Sequence, residues 1–423
     1  MKTFDPQDVR ALGARILRAG PICDECLGRI AAQLGRGLTN GARGAQLREM
    51  LGADGIEGKS GICWVCGDLF DRIDAWVQRA IDRVEDLEFS TYLFGVKLTP
   101  RLEQMEAFYE ERFPSVHREP LKHSLNRMAG LAFERLLGRA VTVKFTAPQV
   151  SFVIDLNTNE LTMHVLSLYI YGRYCKLARG IPQTKWPCRQ CRGRGCEACE
   201  FTGKQYPDSV EEIISTSLID LAEASSACLH GAGREDIDAR MLGTGRPFVL
   251  ELLNPGKRSI DVSNAHQAVN EMADGRVSVS PLKLVHRRSV AWVKALRATK
   301  KYRALVELDE AIDADQLQVA LASLPGEIAQ RTPQRVSHRR SDLIRKRAVH
   351  EASGQLLDET HADVVVHGDG GLYIKELISS DGGRTQPSLT GLLGVQAKVT
   401  DLDVLEVCSN DVAESMVLSD GLS

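Results

Sequence analysis

No run of apolar residues in this chain approaches the roughly 18 that a membrane-crossing helix needs, which argues against a membrane partner. The first ten residues, MKTFDPQDVR, lack the apolar stretch of a secretory signal peptide, so a cytoplasmic protein is expected. There is no surplus of one charge either: 53 Lys and Arg stand against 56 Asp and Glu, which excludes a chain that is basic throughout. No low-complexity tether or internal repeat appears, so a solenoid is not expected. Glycines gather at 231, 233, 243 and 245, yet GAGRED lacks the third glycine of a dinucleotide loop, and no G-K-S/T follows to make a phosphate loop. What remains is an ordinary globular composition, 43% hydrophobic and 26% charged, over 423 residues, enough for two or three domains.

Cysteine is the residue in excess. Of 11, eight fall in four C-x-x-C pairs: Cys23/Cys26, Cys63/Cys66, Cys188/Cys191 and Cys196/Cys199. Such close neighbours make poor disulfides but suit thiolates that grip one tetrahedral ion, so structural zinc is expected, up to two ions per chain. The competing reading is a redox dithiol, which does not need matched pairs. The central set, CRQCRGRGCEACEFTGK, places four cysteines among turn glycines and reads as a zinc knuckle, with Arg189, Arg192 and Arg194 around it. Cys175, Cys228 and Cys408 stand alone and are expected to be small core or surface residues.

Periodicity divides the chain into four parts and assigns an α+β fold. Residues 1–89 read as a helical, cysteine-rich region. Residues 90–182 mix β-like runs (FSTYLFGVKL, VTVKF, SFVIDL) with the amphipathic helix EPLKHSLNRMAGLAFERLLG, and end in HVLSLYIYGRYCKLARGIPQTKWP. The aromatics and cations of that last stretch suit either RNA stacking or a strand edge. Residues 183–206 form the knuckle. Residues 207–423 open with a helix over 207–229 and continue with β-like runs, LYIKELI among them, as a large mixed or antiparallel sheet.

Local charge departs from the average. Residues 287–303 hold seven Lys and Arg with no acid, and 331–350 hold seven with one Asp. These are either solvated faces or a surface focused on a polyanion. The stretch 231–251, GAGREDIDARMLGTGRPFVLE, sets charged residues between glycines, read as turns at both ends of a loop that presents Arg234 and Asp236.

At this point the sequence resembles a family. GREDIDARMLGTGRPFVLE, KKYRALVELD, QRTPQRVSHRR and GLYIKELISSDGGRTQPSL, with YLFGVKL and IYGRYCKLARGIPQTKWPC in the front half, are similar to the archaeal tRNA pseudouridine synthases of the tenth family. The resemblance implies a THUMP-like RNA-binding domain over 90–182 and a pseudouridine synthase fold over 207–423. It implies isomerisation of uridine in the T-loop of tRNA, at positions 54 and 55, with Asp236 as the catalytic carboxylate. Tyr302 would lie against the target base, and either Lys375 or Arg384 would pair with Asp236. Arg234 would enter the space the flipped base leaves, and Arg339 and Arg340 would meet tRNA phosphates. No cofactor is expected for the chemistry and no protein partner is implied. Two rivals are a zinc-stabilised tRNA-binding protein without catalysis and a THUMP-linked RNA methyltransferase. The second calls for a strand followed by a glycine-rich cofactor loop, which the sequence does not offer.

Overall fold

In the computed structural model, which describes residues 6–34, 37–337 and 340–408, helices begin where a short polar side chain can accept an early amide. Thr39 accepts from Ala42 N at 3.1 Å, Thr99 from Leu102 N at 3.2 Å ahead of Pro100, and Ser209 from Glu212 N at 3.2 Å. Among the described residues no helix is long and apolar enough to cross a membrane. The chain divides into two units, Met1–Leu166 and Ser167–Ser423.

The first unit runs α1 (Pro6–Ala19), α2 (Asp24–Gly28), α3 (Asn40–Ala53), α4 (Ile73–Ile81), β1 (Thr91–Lys97), α5 (Pro100–Arg112), α6 (Leu121–Leu137), β2 (Thr142–Val143), β3 (Val150–Asp155) and β4 (Glu160–Val165). Its sheet is ordered β2-β1-β3-β4, with β1 parallel to both neighbours and β3 antiparallel to β4. Parallel neighbours need a long crossover, which α5 and α6 supply between β1 and β3. Alternation along β1 buries Tyr92, Phe94 and Val96, and Phe133 of α6 packs onto them. Ring centroids lie 4.9 Å apart for Tyr92–Phe133, 5.2 Å for Phe94–Phe133 and 5.3 Å for Phe133–Phe152. In a chain with only 5% aromatic residues, a good part of that resource is concentrated here.

The second unit contains β5 (Leu168–Lys176), α7 (Val210–Ala222), β6 (Ser226–Gly231), β7 (Ala239–Leu253), α8 (Ala265–Met272), β8 (Val277–Val279), β9 (Lys283–Val285), α9 (Arg288–Ala295), β10 (Thr299–Leu308), α10 (Ala314–Ala322), β11 (Gly326–Arg331), β12 (Ile344–Asp358), β13 (His361–Gly368), α11 (Ile374–Ser379), β14 (Thr385–Gln386), α12 (Leu389–Leu393) and β15 (Ala397–Cys408). They build an 11-stranded sheet ordered β14-β11-β12-β13-β10-β15-β7-β5-β8, with β6 paired to β7 and β9 to β5. The pairing is antiparallel except for β7 beside β15, where Ala239–Met241 run parallel to Leu402–Val404. The architecture is α+β with a large mixed sheet, and the parallel seam lies at the start of β7.

Four local expectations change. The stretch Leu168–Lys176 is an interior strand of the large sheet, so residues 90–182 are shared between two sheets; Tyr169, Tyr171 and Tyr174 are buried and do not form an RNA-stacking edge. The helix expected over 207–229 stops at Ala222, where Glu223 turns left-handed (φ +48°), and the chain re-enters the sheet as β6. LYIKELI is largely helical because Ile374, Leu377 and Ile378 recur at helical spacing and are all buried. Gly243 and Gly245 do not end a loop. They lie inside β7 (φ +62° and +73°), where a Cβ would meet Leu405 O at 1.9 Å and Tyr174 O at 2.8 Å. They allow an irregularity by which β7 passes from its contact with β15 to its register with β5.

The Phe133 cluster generates a stability prediction. Phe133→Ala should destabilise the first unit by about 3–5 kcal/mol through the cavity it leaves, read from the denaturant midpoint of the transition that loses that unit's near-ultraviolet circular dichroism.

Candidate active site

The loop between β6 and β7 is built from below. Glu235 is buried, and its carboxylate accepts from Arg246 Nε at 2.8 Å and from the Tyr174 hydroxyl at 2.9 and 3.0 Å. Arg246, 1% exposed, also donates Nη1 to Ala232 O at 2.7 Å. Gln183 Nε2 donates to the Tyr174 hydroxyl at 2.8 Å and to Gly233 O at 3.0 Å. Lys176 is fully buried, and its ammonium is shared among three carbonyls: Ile181 at 2.9 Å, Asp236 at 3.0 Å and Ile237 at 3.0 Å. At Gly233 (φ +83°) a Cβ would lie 3.1 Å from Lys300 Nζ and 3.2 Å from Arg246 Nη1. Glycine is therefore favoured by conformation, and a side chain there would crowd both cations.

With Glu235 held inward, Asp236 is presented outward into a cavity of about 720 Å³. Arg335 Nη1 lies 3.1 Å from its carboxylate and Lys375 Nζ 3.7 Å, and the carboxylate keeps 35% exposure, open to a substrate. Arg335 is itself oriented by Glu376, whose carboxylate accepts its Nε at 2.6 Å. Lys375 makes its closer contact with Asp238, at 2.6 Å. Burial pushes the Asp238 carboxyl up, but the hydrogen bond and charge of Lys375 outweigh it and leave the group below its usual range. Tyr302, on β10, lines the same cavity at 8% exposure. Burial raises its phenol to about 12, with Arg246 opposing and Asp236 adding to the rise.

The residues singled out in the sequence fall into three groups. Arg234, Asp236, Tyr302, Arg340 and Lys375 line one cavity. Arg384 is engaged elsewhere: it donates to Thr332 O at 2.6 Å and Asp342 at 3.1 Å and lies 3.5 Å from Asp381, so Lys375 is the one of the two that reaches Asp236. Arg339 lies outside the described residues. Arg335, Glu376, Lys176, Glu235 and Lys300 were not singled out. Arg335 sits within the basic segment 331–350, but nothing in its local spacing pairs it with an aspartate 99 residues away. Arg345 and Arg347 from that segment also line the cavity.

Each cysteine set converges. The Sγ atoms of Cys23, Cys26, Cys63 and Cys66 lie within 4.8 Å of one another, as do those of Cys188, Cys191, Cys196 and Cys199. The separations are 3.6 Å for Cys23–Cys66, 4.0 Å for Cys188–Cys196, 3.8 Å for Cys191–Cys199 and 3.7 Å for Cys196–Cys199. A tetrahedron with zinc–sulfur bonds of ~2.3 Å has edges of ~3.8 Å, whereas a disulfide would need ~2.05 Å. Amides of Gly195, Cys196 and Gly203 point at Cys191 or Cys199 Sγ at 3.2–3.3 Å, the donors a thiolate accepts. Both sets fit a structural, thiophilic ion.

Residues 169–408 match the family model for the Pus10 C-terminal domain, and residues 76–155 match the archaeal Pus10 THUMP domain. A tRNA pseudouridine synthase Pus10 from Halorubrum lacusprofundi is 45% identical over 417 residues, covering 96% of this chain and 97% of the relative. Those from Methanothrix thermoacetophila (41%; 95% and 94% covered) and Methanothermobacter marburgensis (43%; 91% and 95%) are similar over nearly as much. These matches define a pseudouridine synthase, an isomerase. The chain belongs to the Pus10 family.

Lys300 gives the site a pH signature. Burial lowers its ammonium from 10.5 to about 7, with Arg246 adding to the fall and Glu235 opposing it. Between those values the unfolded chain holds a proton that the native chain has released, so this lysine makes stability rise with pH, and its penalty is complete below about pH 7. Lys300→Met should remove that slope. The stability of the variant relative to the parent should be greatest near pH 7 and decline toward pH 10, as measured by thermal unfolding across that range.

Proposed function

We propose that the protein isomerises uridine to pseudouridine in the T-loop of tRNA, at positions 54 and 55, with Asp236 as the catalytic carboxylate. The observation that carries this reading is the meeting of Asp236, the Tyr302 ring, Arg335 and Lys375 around one cavity, within the segment that matches the Pus10 C-terminal domain. The reaction breaks the N1–C1′ bond, turns the base and forms a C5–C1′ bond; C5 loses a proton and N1 gains one. An ionised carboxylate serves as nucleophile or base on the sugar or the ring. Arg335 at 3.1 Å and Lys375 at 3.7 Å place positive charge beside the carboxylate where the RNA would enter.

The target uridine must leave its loop to reach Asp236, which costs a few kcal/mol. Stacking on Tyr302 returns roughly 1–3 kcal/mol, and Arg234 at the cavity rim occupies the vacated space. Arg340, Arg345 and Arg347 supply cations for the flanking phosphates. The THUMP-matching segment provides a second RNA contact, and zinc in the two cysteine sets holds their loops.

The test is incubation with unmodified tRNA transcript and mapping of pseudouridine at single-nucleotide resolution. Asp236→Asn, which keeps size but removes the ionisable oxygen, should abolish product while tRNA affinity stays within about tenfold, roughly 1.4 kcal/mol. Asp238→Asn should cost less, and near-parental turnover by Asp236→Asn would refute the assignment.

The metal sites have their own test. Elemental analysis of metal-replete protein should find close to two zinc ions per chain, and loss of Cys188 and Cys199 together should remove one. Protein free of zinc after metal-replete preparation would refute this part of the reading.

A further inference from the structure

The cysteine knuckle carries part of the cavity wall. Its stem is closed by three rungs: Gln205 N donates to Trp186 O at 3.0 Å, Pro187 and Lys204 form an antiparallel bridge, and Cys188 N donates to Gly203 O at 2.7 Å. Beyond these rungs the hairpin ends in the four-cysteine cluster. Trp186, at the base of the stem, meets Tyr206 edge-on with centroids 5.7 Å apart. The guanidinium carbon of Arg234 lies 5.2 Å from the Trp186 ring centroid. Trp186, Arg234 and Asp236 all line the same cavity. Among the described residues Arg234 makes no ion pair or hydrogen bond, so the indole is the contact that orients it. A free arginine samples many rotamers, and a cation–π face selects among them without neutralising the charge.

We infer that the knuckle is a positioning device for the catalytic loop: the metal-bound hairpin fixes Trp186, and Trp186 holds Arg234 at the mouth of the Asp236 cavity, aimed at the incoming RNA strand. Trp186 is a positioning residue, since it acts through Arg234. The exposed Arg189, Arg192 and Arg194 continue the same cationic surface along the hairpin. The inference rests on Asp236 marking the reacting centre.

A double-variant cycle tests it, with single-turnover pseudouridine formation on an unmodified tRNA transcript as the readout. Trp186→Ala should slow the reaction by about tenfold, within the range of a lost cation–π contact. Trp186→Phe, which keeps an aromatic face, should recover most of that rate. In an Arg234→Ala background Trp186→Ala should cost less than about twofold more, because the residue it acts through is already gone. A full second loss in the double variant overturns the inference.

The second readout does not depend on turnover. The chain has four tryptophans, so fluorine NMR of protein labelled with 5-fluorotryptophan gives one resonance for each, and Trp186→Phe identifies the one from Trp186. That resonance should move in Arg234→Ala and in Cys199→Ser while the other three stay in place. A Trp186 signal indifferent to Cys199→Ser breaks the link between knuckle and indole. Product formed by Asp236→Asn would instead remove the site assignment, an outcome on which the NMR result does not depend.

Discussion

The ion pair of Glu235 and Arg246 is the contact on which the rest of the site depends. Both side chains are 1% exposed, and two buried charges cost more in desolvation than their attraction returns unless every lone pair and proton is satisfied. The Tyr174 hydroxyl and the carbonyl of Ala232 supply partners to the pair, Gln183 in turn donates to the Tyr174 hydroxyl, and Lys176 adds three carbonyl contacts of its own. The arrangement contributes geometry more than stability. With Glu235 held inward, its neighbour Asp236 lines the cavity, and the carbonyls of 236 and 237, both bound by Lys176, restrain the backbone there. In the reaction proposed for it, a carboxylate held in this way would lose little entropy.

The outer layer is balanced differently. Arg335 is shared between buried Glu376 and half-exposed Asp236, and Lys375 between Asp238 and Asp236. Each cation therefore has a structural carboxylate at 2.6 Å and lies farther from Asp236, Arg335 at 3.1 Å and Lys375 at 3.7 Å. Charge is thus available to Asp236, whose carboxylate still keeps 35% exposure. Arg340, Arg345 and Arg347 stand further along the same cavity, where a polyanion can recruit them.

Much of this was legible in the sequence because the relevant signals are local. The C-x-x-C spacing, the helix 121–137 with its buried face, and the loop carrying Arg234 and Asp236 each lie within a short window. What was not legible depends on strand order. Arg335 reaches Asp236 across 99 residues, and Lys176 reaches the same loop across 60, through a sheet whose order places β7 between β5 and β15. The tyrosines of β5 read as a possible RNA surface because alternation along a strand does not say whether a second strand lies on each side. Gly243 and Gly245 read as turns because positive φ is needed both in a turn and in a strand irregularity, and only the partner strands distinguish the two.

The two cysteine sets, alike in spacing, have different physical roles. In the knuckle the buried cluster consists of Cys188, Cys191 and Cys199 with Cys196 packed on it, and among the described residues no aliphatic or aromatic side chain joins them. So small a unit has little apolar core to offset the entropy of its ordering, and a bound metal would serve as that core. Around the front set the situation is reversed. Cys26, Cys63 and Cys66 are buried with Leu27, Ile30, Val65 and Trp76 in the core that also contains Phe133. There the apolar packing is already extensive, and an ion held by the set would balance the charge of thiolates crowded within 4.8 Å of one another. Loss of metal at the knuckle therefore acts locally, through whatever the hairpin holds. Loss at the front set acts on the core of the first unit as a whole.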